Sequence, residues 1–199
     1  MKLRRRHFLA SVGAGSVGLM APKAFAAVKS GTTPSLLPQA LAALDRHGSR
    51  IRNRDLVGIV DFGAPSGLPR FQIVDIANGR VVANRHVAHG RGSDPGNSGW
   101  VQKFSNRPGS NASSEGSYML GDTYYGKHGR SRRLHGLDPA NDMAYERAIV
   151  IHGADYVSSA MARQSGRIGR SLGCFTVSQR DIDAVLAQLG PGRLLFAAK

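Results

Sequence analysis

The sequence predicts a mainly β domain with helices at its periphery. Three observations carry that prediction. Apolar spacing changes from helical to extended at residue 56, an Asn-Gly dipeptide separates two Val/Ile-rich runs, and the residues suited to chemistry fall at strand ends and in loops.

The elements follow in order. Residues 27–35 are polar with a proline and read as a flexible leader. Leu37, Leu41 and Leu44 recur at spacings of four and three, which predicts a helix with those leucines on one face, ending near Gly48. Strands are expected over residues 56–62, 71–76 and 80–88, with Asn78-Gly79 forming a two-residue type I′ turn between the last two. Residues 90–116 are rich in Gly, Ser and Asn without sustained periodicity. They read as a long loop, either a lid or binding surface or a disordered segment. Strands at 117–124 and 147–152 follow, the second a dense apolar run ending at His152. A helix over residues 178–189, N-capped by Ser178 with Asp181 three residues on, and a strand at 194–197 close the chain. There is no internal repeat.

The first 26 residues are expected to be an export signal rather than fold. Lys2, Arg4, Arg5 and Arg6 precede an apolar stretch over residues 8–20, which leads to Ala24-Phe25-Ala26. That stretch is well short of the roughly 20 apolar residues needed to span a bilayer, so no permanent membrane anchor is expected. Arg5-Arg6 followed by Phe8-Leu9 resembles a twin-arginine signal, although Arg4 stands where Ser or Thr is usual. The expected location is the periplasm or cell wall. Removing residues 1–26 takes away five basic residues and no acidic ones, lowering the formal charge from +14 to +9. The remaining 173 residues suit a single domain, expected as a monomer.

A basic exported protein fits anionic surfaces of several kinds. The arginines are dispersed, without zinc-finger, RNP or heptad patterns, so nucleic acid is not an expected partner. His86 and His89 form an H-x-x-H pair, but residues three apart on a strand face opposite ways and no third ligand is evident; no metal or other cofactor is expected. His86 reads as structural. Tyr124 and Tyr125 read as packing residues, and His135 as a substrate contact or a packing residue.

One cysteine, Cys174, is present, and it cannot form an internal disulfide. An exported lone thiol is either a buried inert residue or a nucleophile. A thiol of pKa ~8.5 needs a neighbouring base to become a nucleophile at neutral pH, and His152 at the end of its strand is the candidate. Gly173 lets the chain turn tightly before Cys174 and brings main-chain N–H groups to a developing oxyanion.

The wording of these segments is specific. Ile151-His152-Gly153 followed by Ser171-Leu172-Gly173-Cys174 resembles the catalytic motif of murein L,D-transpeptidases, in the branch with a longer connecting loop. The resemblance includes residues 87–93, 151–157 and 169–174 and covers roughly residues 50–180. It implies an L,D-transpeptidase-like β-sandwich or barrel over residues 50–199, preceded by a leader and helix over residues 27–49. It further implies that Cys174 attacks the carbonyl of an L-centred residue in a peptidoglycan tetrapeptide stem and expels D-Ala. The resulting thioester passes to an amine acceptor or to water. His152 would be base and then acid, the Gly153 carbonyl would orient its imidazole, and Ser171 would help shape the oxyanion site. Arg170, His89, Gly90 and Leu172 are the expected substrate-binding residues. Leu172, Phe175 and Thr176 depart from the common pattern, which has His at the first of these positions, Pro in this branch at the second, and Asn or Arg at the third. The alternatives are a cysteine peptidase or amidase acting on wall peptides, and a non-catalytic basic wall-binding protein.

Overall fold

The computed structural model describes residues 34–199. The export segment expected over residues 1–26, and all but the end of the leader, lie outside the described residues.

Among the described residues, eight strands form one mixed sheet: β1 (Leu56–Asp61), β2 (Phe71–Asp75), β3 (Arg80–Arg85), β4 (Gly116–Gly126), β5 (Gly129–Gly136), β6 (Val150–Ala154), β7 (Phe175–Ser178) and β8 (Leu194–Ala198). Their order is β3-β2-β1-β8-β4-β5-β6-β7. The β1–β8 and β6–β7 pairs are parallel, and the other neighbours antiparallel. Beyond β3, Ala88 forms an antiparallel bridge with Thr176 of β7, its N–H donating to the Thr176 carbonyl at 2.8 Å. That contact joins the two ends of the strand order, so the sheet curls into a barrel.

Two cores follow from strand alternation. On β1, Val60, together with Phe62 just beyond the strand, enters the barrel interior with Phe71, Ile73, Tyr118, Leu134, Ile151 and Phe175. Val57 and Ile59 face the other way, against α1 (Leu37–Arg46). The face that α1 buries consists of Ala40, Ala43 and Leu44, while Leu41 is 38% exposed. Helix α2 (Ser159–Ser165) is capped by the Ser158 side chain, and α3 (Ile182–Gln188) packs Ile182, Val185 and Leu186 into the barrel core.

Several local expectations are corrected. The β2–β3 connection is a four-residue loop closed by the Asp75↔Arg80 pair, with Gly79 but not Asn78 at positive φ. The type I′ turn therefore does not form; Asp75 Oδ1 accepts the Ala77 N–H at 2.9 Å instead. The last helix begins a turn later than expected, because Ser178 ends β7 and its hydroxyl bonds the Asp181 carboxylate and N–H. The sixth strand starts at Val150, since Ala148, at φ 53°, interrupts the expected run. Strand β5, strand β7 and helix α2 were not anticipated.

The segment joining β3 to β4 is ordered by polar contacts. Asp94 accepts the N–H groups of Ser98 and Gly99 and the Ser98 hydroxyl, while Ser113 accepts the Gly90 N–H and donates to the Gly173 carbonyl.

Candidate active site

The parallel pairing of β6 and β7 sets Ile151 opposite Phe175 and His152 opposite Thr176. Cys174 immediately precedes β7, two residues before Thr176. Cys174 itself sits in the bend that leads into the strand. The sheet register thus sets His152 opposite a residue two places after Cys174, although 22 residues separate the histidine and the cysteine in the chain.

The turn before Cys174 is tightly built. Gly173 has φ 121°, and a Cβ there would lie 2.8 Å from the Ala112 carbonyl oxygen and from Ile149 Cδ1. Gly90 bridges Ser171 in parallel, and a Cβ on it would lie 2.3 Å from the Asn111 carbonyl oxygen and 2.8 Å from Gly173. Only glycine accommodates these approaches. Ser171 is buried; its hydroxyl donates to the Cys174 carbonyl at 2.7 Å and accepts the Gly173 N–H at 3.1 Å, fastening the turn across itself. Leu172, two residues before Cys174, is 56% exposed.

The His152 ring is held on two sides. Its Nδ1 lies 3.0 Å from the Gly153 carbonyl oxygen, which can only accept, so the proton is on Nδ1 and Nε2 carries the lone pair. Nε2 is 3.0 Å from Thr176 Oγ1, and Tyr156 donates its hydroxyl to that same oxygen at 3.1 Å. His128 stacks on the imidazole with ring centroids 4.2 Å apart and planes 20° from parallel. Burial holds His152 below the usual histidine range; the Gly153 carbonyl opposes this, while His128 and Lys127 push the same way.

Cys174 is half-buried, and its Sγ lies 3.6 Å from the Ala148 carbonyl oxygen. Burial pushes the thiol above the ordinary cysteine range, against the opposing pull of the Val150 N–H and the positive charges of Arg147 and Lys127. Both side chains are therefore neutral at pH 7, and Thr176, not the thiol, occupies the Nε2 lone pair of His152.

The other expected residues take different places. His89 does not line a cleft: it is fully buried between Arg70 Nη2, 2.6 Å from its Nδ1, and Asp94 Oδ2, 3.4 Å from its Nε2. Burial, with Arg70 adding to it, pushes its pKa down to about 4. Arg170 is committed to the carbonyls of Asp94 and Pro95, so it holds the long segment in place. His86 reaches the Gly67 carbonyl at 3.1 Å. Phe175 is buried in the core, stacked on Phe62. Tyr124 lies beneath the Arg133 guanidinium and His135 stacks on Tyr145, but Tyr125 is 81% exposed rather than packed.

Sequence reasoning missed Arg147, Lys127, His128, Tyr156 and Asp94. Lys127 and His128 arrive on the tip of the β4–β5 hairpin, for which the flanking Gly126 and Gly129 were an available signal. Arg147 reaches the Ser105 carbonyl at 2.7 Å and the Ala112 carbonyl, a pairing that no local pattern encodes.

A model of the L,D-transpeptidase catalytic domain matches residues 28–198. The chain belongs to that family. No curated protein matches it. Among solved structures it is similar to an L,D-transpeptidase from Mycobacterium smegmatis, with 10% identity and a TM-score of 0.45 over 73% of this chain and 59% of that one. It is also similar to L,D-transpeptidase 1 of Mycobacterium tuberculosis, with 12% identity and a TM-score of 0.41 over 72% and 62% of the two chains. An L,D-transpeptidase from Xylanimonas cellulosilytica aligns with 18% identity and a TM-score of 0.41 over 81% and 70%. The chain spans less than two thirds of the length of the two mycobacterial proteins.

Proposed function

We propose that this L,D-transpeptidase family member is an exported peptidoglycan L,D-transpeptidase with Cys174 as nucleophile and His152 as base. The observation that supports the reading is the β6–β7 register, which sets His152, with its Nε2 lone pair unprotonated, opposite Thr176, two residues after the single cysteine of the sequence.

In this reading His152 Nε2 takes the thiol proton as Sγ attacks the carbonyl of the L-centred residue of a tetrapeptide stem. The imidazolium formed is held through Nδ1–H by the Gly153 carbonyl. Gly173 N–H is taken up by Ser171 Oγ, so we assign the Cys174 N–H to the developing oxyanion. Collapse of the tetrahedral intermediate breaks the C–N bond. The proton on Nε2 passes to the departing D-Ala amine, leaving a thioester on Cys174. An acceptor amine then gives its proton to His152 and attacks the thioester carbonyl; the C–S bond breaks, the Cys174 thiolate takes the proton back from His152, and the crosslink amide is released, while water in place of the amine gives carboxypeptidase activity. Arg147 and Lys127 favour the thiolate during attack. Ser171 keeps the turn in shape.

We further assign residues 1–26 to the export signal, residues 50–199 to the catalytic domain, and the mature protein to the periplasm or cell wall as a monomer without a permanent anchor. Among the described residues no helix is long and apolar enough to cross a membrane.

The test is intact-mass spectrometry after exposure to a carbapenem, an acylating mimic of the donor. A covalent adduct on the parent, lost in both Cys174→Ala and His152→Ala, is expected. An unmodified parent whose thiol is also slow toward iodoacetamide would overturn the reading.

A further inference from the structure

Beside the nucleophile turn, residues 91–112 enclose a cleft of about 750 Å³, a volume within the ~300–1,000 Å³ usual for ligand sites. Arg91, Lys103 and Arg107 line it and are exposed, and no carboxylate shares the lining. Among the described residues none of the three enters an ion pair. Phe104 and Pro108 add apolar wall, and Ser110 a hydroxyl.

The cleft is built rather than incidental. Its opposing walls are tied by Gly92 N–H to the Asn111 carbonyl (2.9 Å), Ser113 N–H to Ser93 Oγ (3.0 Å) and Gln102 N–H to the Ser93 carbonyl (2.8 Å). It also abuts both ends of the turn that carries the thiol: Arg91 N–H donates to the Ser171 carbonyl at 2.8 Å, and the Ala112 carbonyl closes on Gly173.

Three like charges gathered around one concavity repel one another, and a ligand carrying several negative charges relieves that repulsion while being drawn in from solution. The mixture of cations with Phe104 and Pro108 suits a chain with apolar parts between its charges better than a bare ion. We propose that this cleft is a second recognition site, which binds a peptide bearing more than one free carboxylate next to the acyl-transfer centre. The identity of that peptide as a wall stem rests on the transpeptidase reading; the anion site itself does not.

Isothermal titration calorimetry on the mature Cys174→Ala protein, which cannot turn the ligand over, tests this with a synthetic stem tetrapeptide as the free acid and as its fully amidated counterpart. The free acid should bind, more weakly as salt is raised. Both amidation and the R91Q/K103Q/R107Q combination should weaken it by about tenfold or more, the summed worth of a few exposed charge contacts. R107Q alone, at an exposed position, should show a smaller loss in the same direction and covers the case in which the combination folds poorly. Acid and amide binding equally, or variants binding as the parent does, would overturn the proposal. Inorganic phosphate and acetate serve as competitors: displacement by phosphate at concentrations where acetate has no effect would assign the cleft to phosphate-bearing polymers and overturn the peptide assignment. Carbapenem acylation of the parent is scored separately. A lost cleft with intact acylation rejects this inference alone, whereas charge-dependent binding without acylation rejects only the transpeptidase reading.

Discussion

Thr176 stands opposite His152 across β6 and β7, and its hydroxyl lies 3.0 Å from the imidazole Nε2, the atom that receives the thiol proton in the proposed mechanism. A single in-plane lone pair accepts one strong hydrogen bond at a time, so Thr176 and Cys174 compete for it. Replacing Thr176 by Val removes the competitor at nearly constant volume. Alkylation of Cys174 by iodoacetamide at pH 7 should then rise about fivefold, the equivalent of one net hydrogen bond of ~1 kcal/mol. The buried Nε2 and the Tyr156 hydroxyl lose their partner, so stability to urea should fall by about 1–2 kcal/mol. An alkylation rate that drops instead would make Thr176 a support for the imidazole and not its competitor.

The pH dependence of the thiol follows from the same pair. Burial depresses His152 and raises Cys174, so proton transfer between them is unfavourable at rest and no thiolate–imidazolium pair is stored. The alkylation rate should climb through and above the ordinary thiol range near pH ~8.5. A plateau reaching down to about pH 5 would contradict this, since it is the signature of a preformed ion pair.

Gly173→Ala tests the turn. The residue sits at φ 121° with no room for a Cβ against the Ala112 carbonyl and Ile149. Strain and displacement together should cost about 2–3 kcal/mol in chemical denaturation and abolish carbapenem acylation. A variant of parental stability and reactivity would show that the turn relaxes without consequence.

Acid should weaken the fold through His89. Its folded pKa of about 4 lies below the ordinary histidine value of 6.5, so between those values the unfolded chain binds a proton that the folded chain excludes. Stability is then fully present above pH 6.5 and declines as pH falls toward 4, by on the order of 3 kcal/mol for this group. Urea titrations at pH 7 and pH 4.5 measure the loss. An NMR titration in which the His89 ring protonates above pH 6 would contradict the assignment.

The strands that form the barrel wall were legible where side-chain chemistry and burial agree. Residues 56–62 and 71–76 alternate between two apolar cores, and Val/Ile content reported them. β5 was missed because its sequence reads as polar. Arg132, nearly fully buried, gives its guanidinium to the Gly121 and Leu186 carbonyls, partners that exist only after folding. β7 has four residues, too few for a period, and α2 is seven residues without an apolar stripe. The segments holding Cys174 and His152 could be read because their wording is distinctive. The surroundings of His152 could not, since Thr176, Tyr156 and His128 reach it through strand register and a hairpin tip, and neither leaves a local mark.

The bridge between Ala88 and Thr176 joins positions 88 residues apart, and Thr176 is also the residue against the base. Closing so long a stretch of chain carries an entropic cost that contacts between neighbouring strands do not. The seam is therefore a natural place for partial opening, with α1, β1 and β2 remaining folded on their own apolar cluster while β7 separates from Ala88. Such an opening leaves His152 and Thr176 paired across β6 and β7 but frees the strand that follows Cys174 from its second neighbour. The reactivity of that one thiol, followed through a urea titration, is therefore expected to change at lower denaturant than the loss of the barrel core.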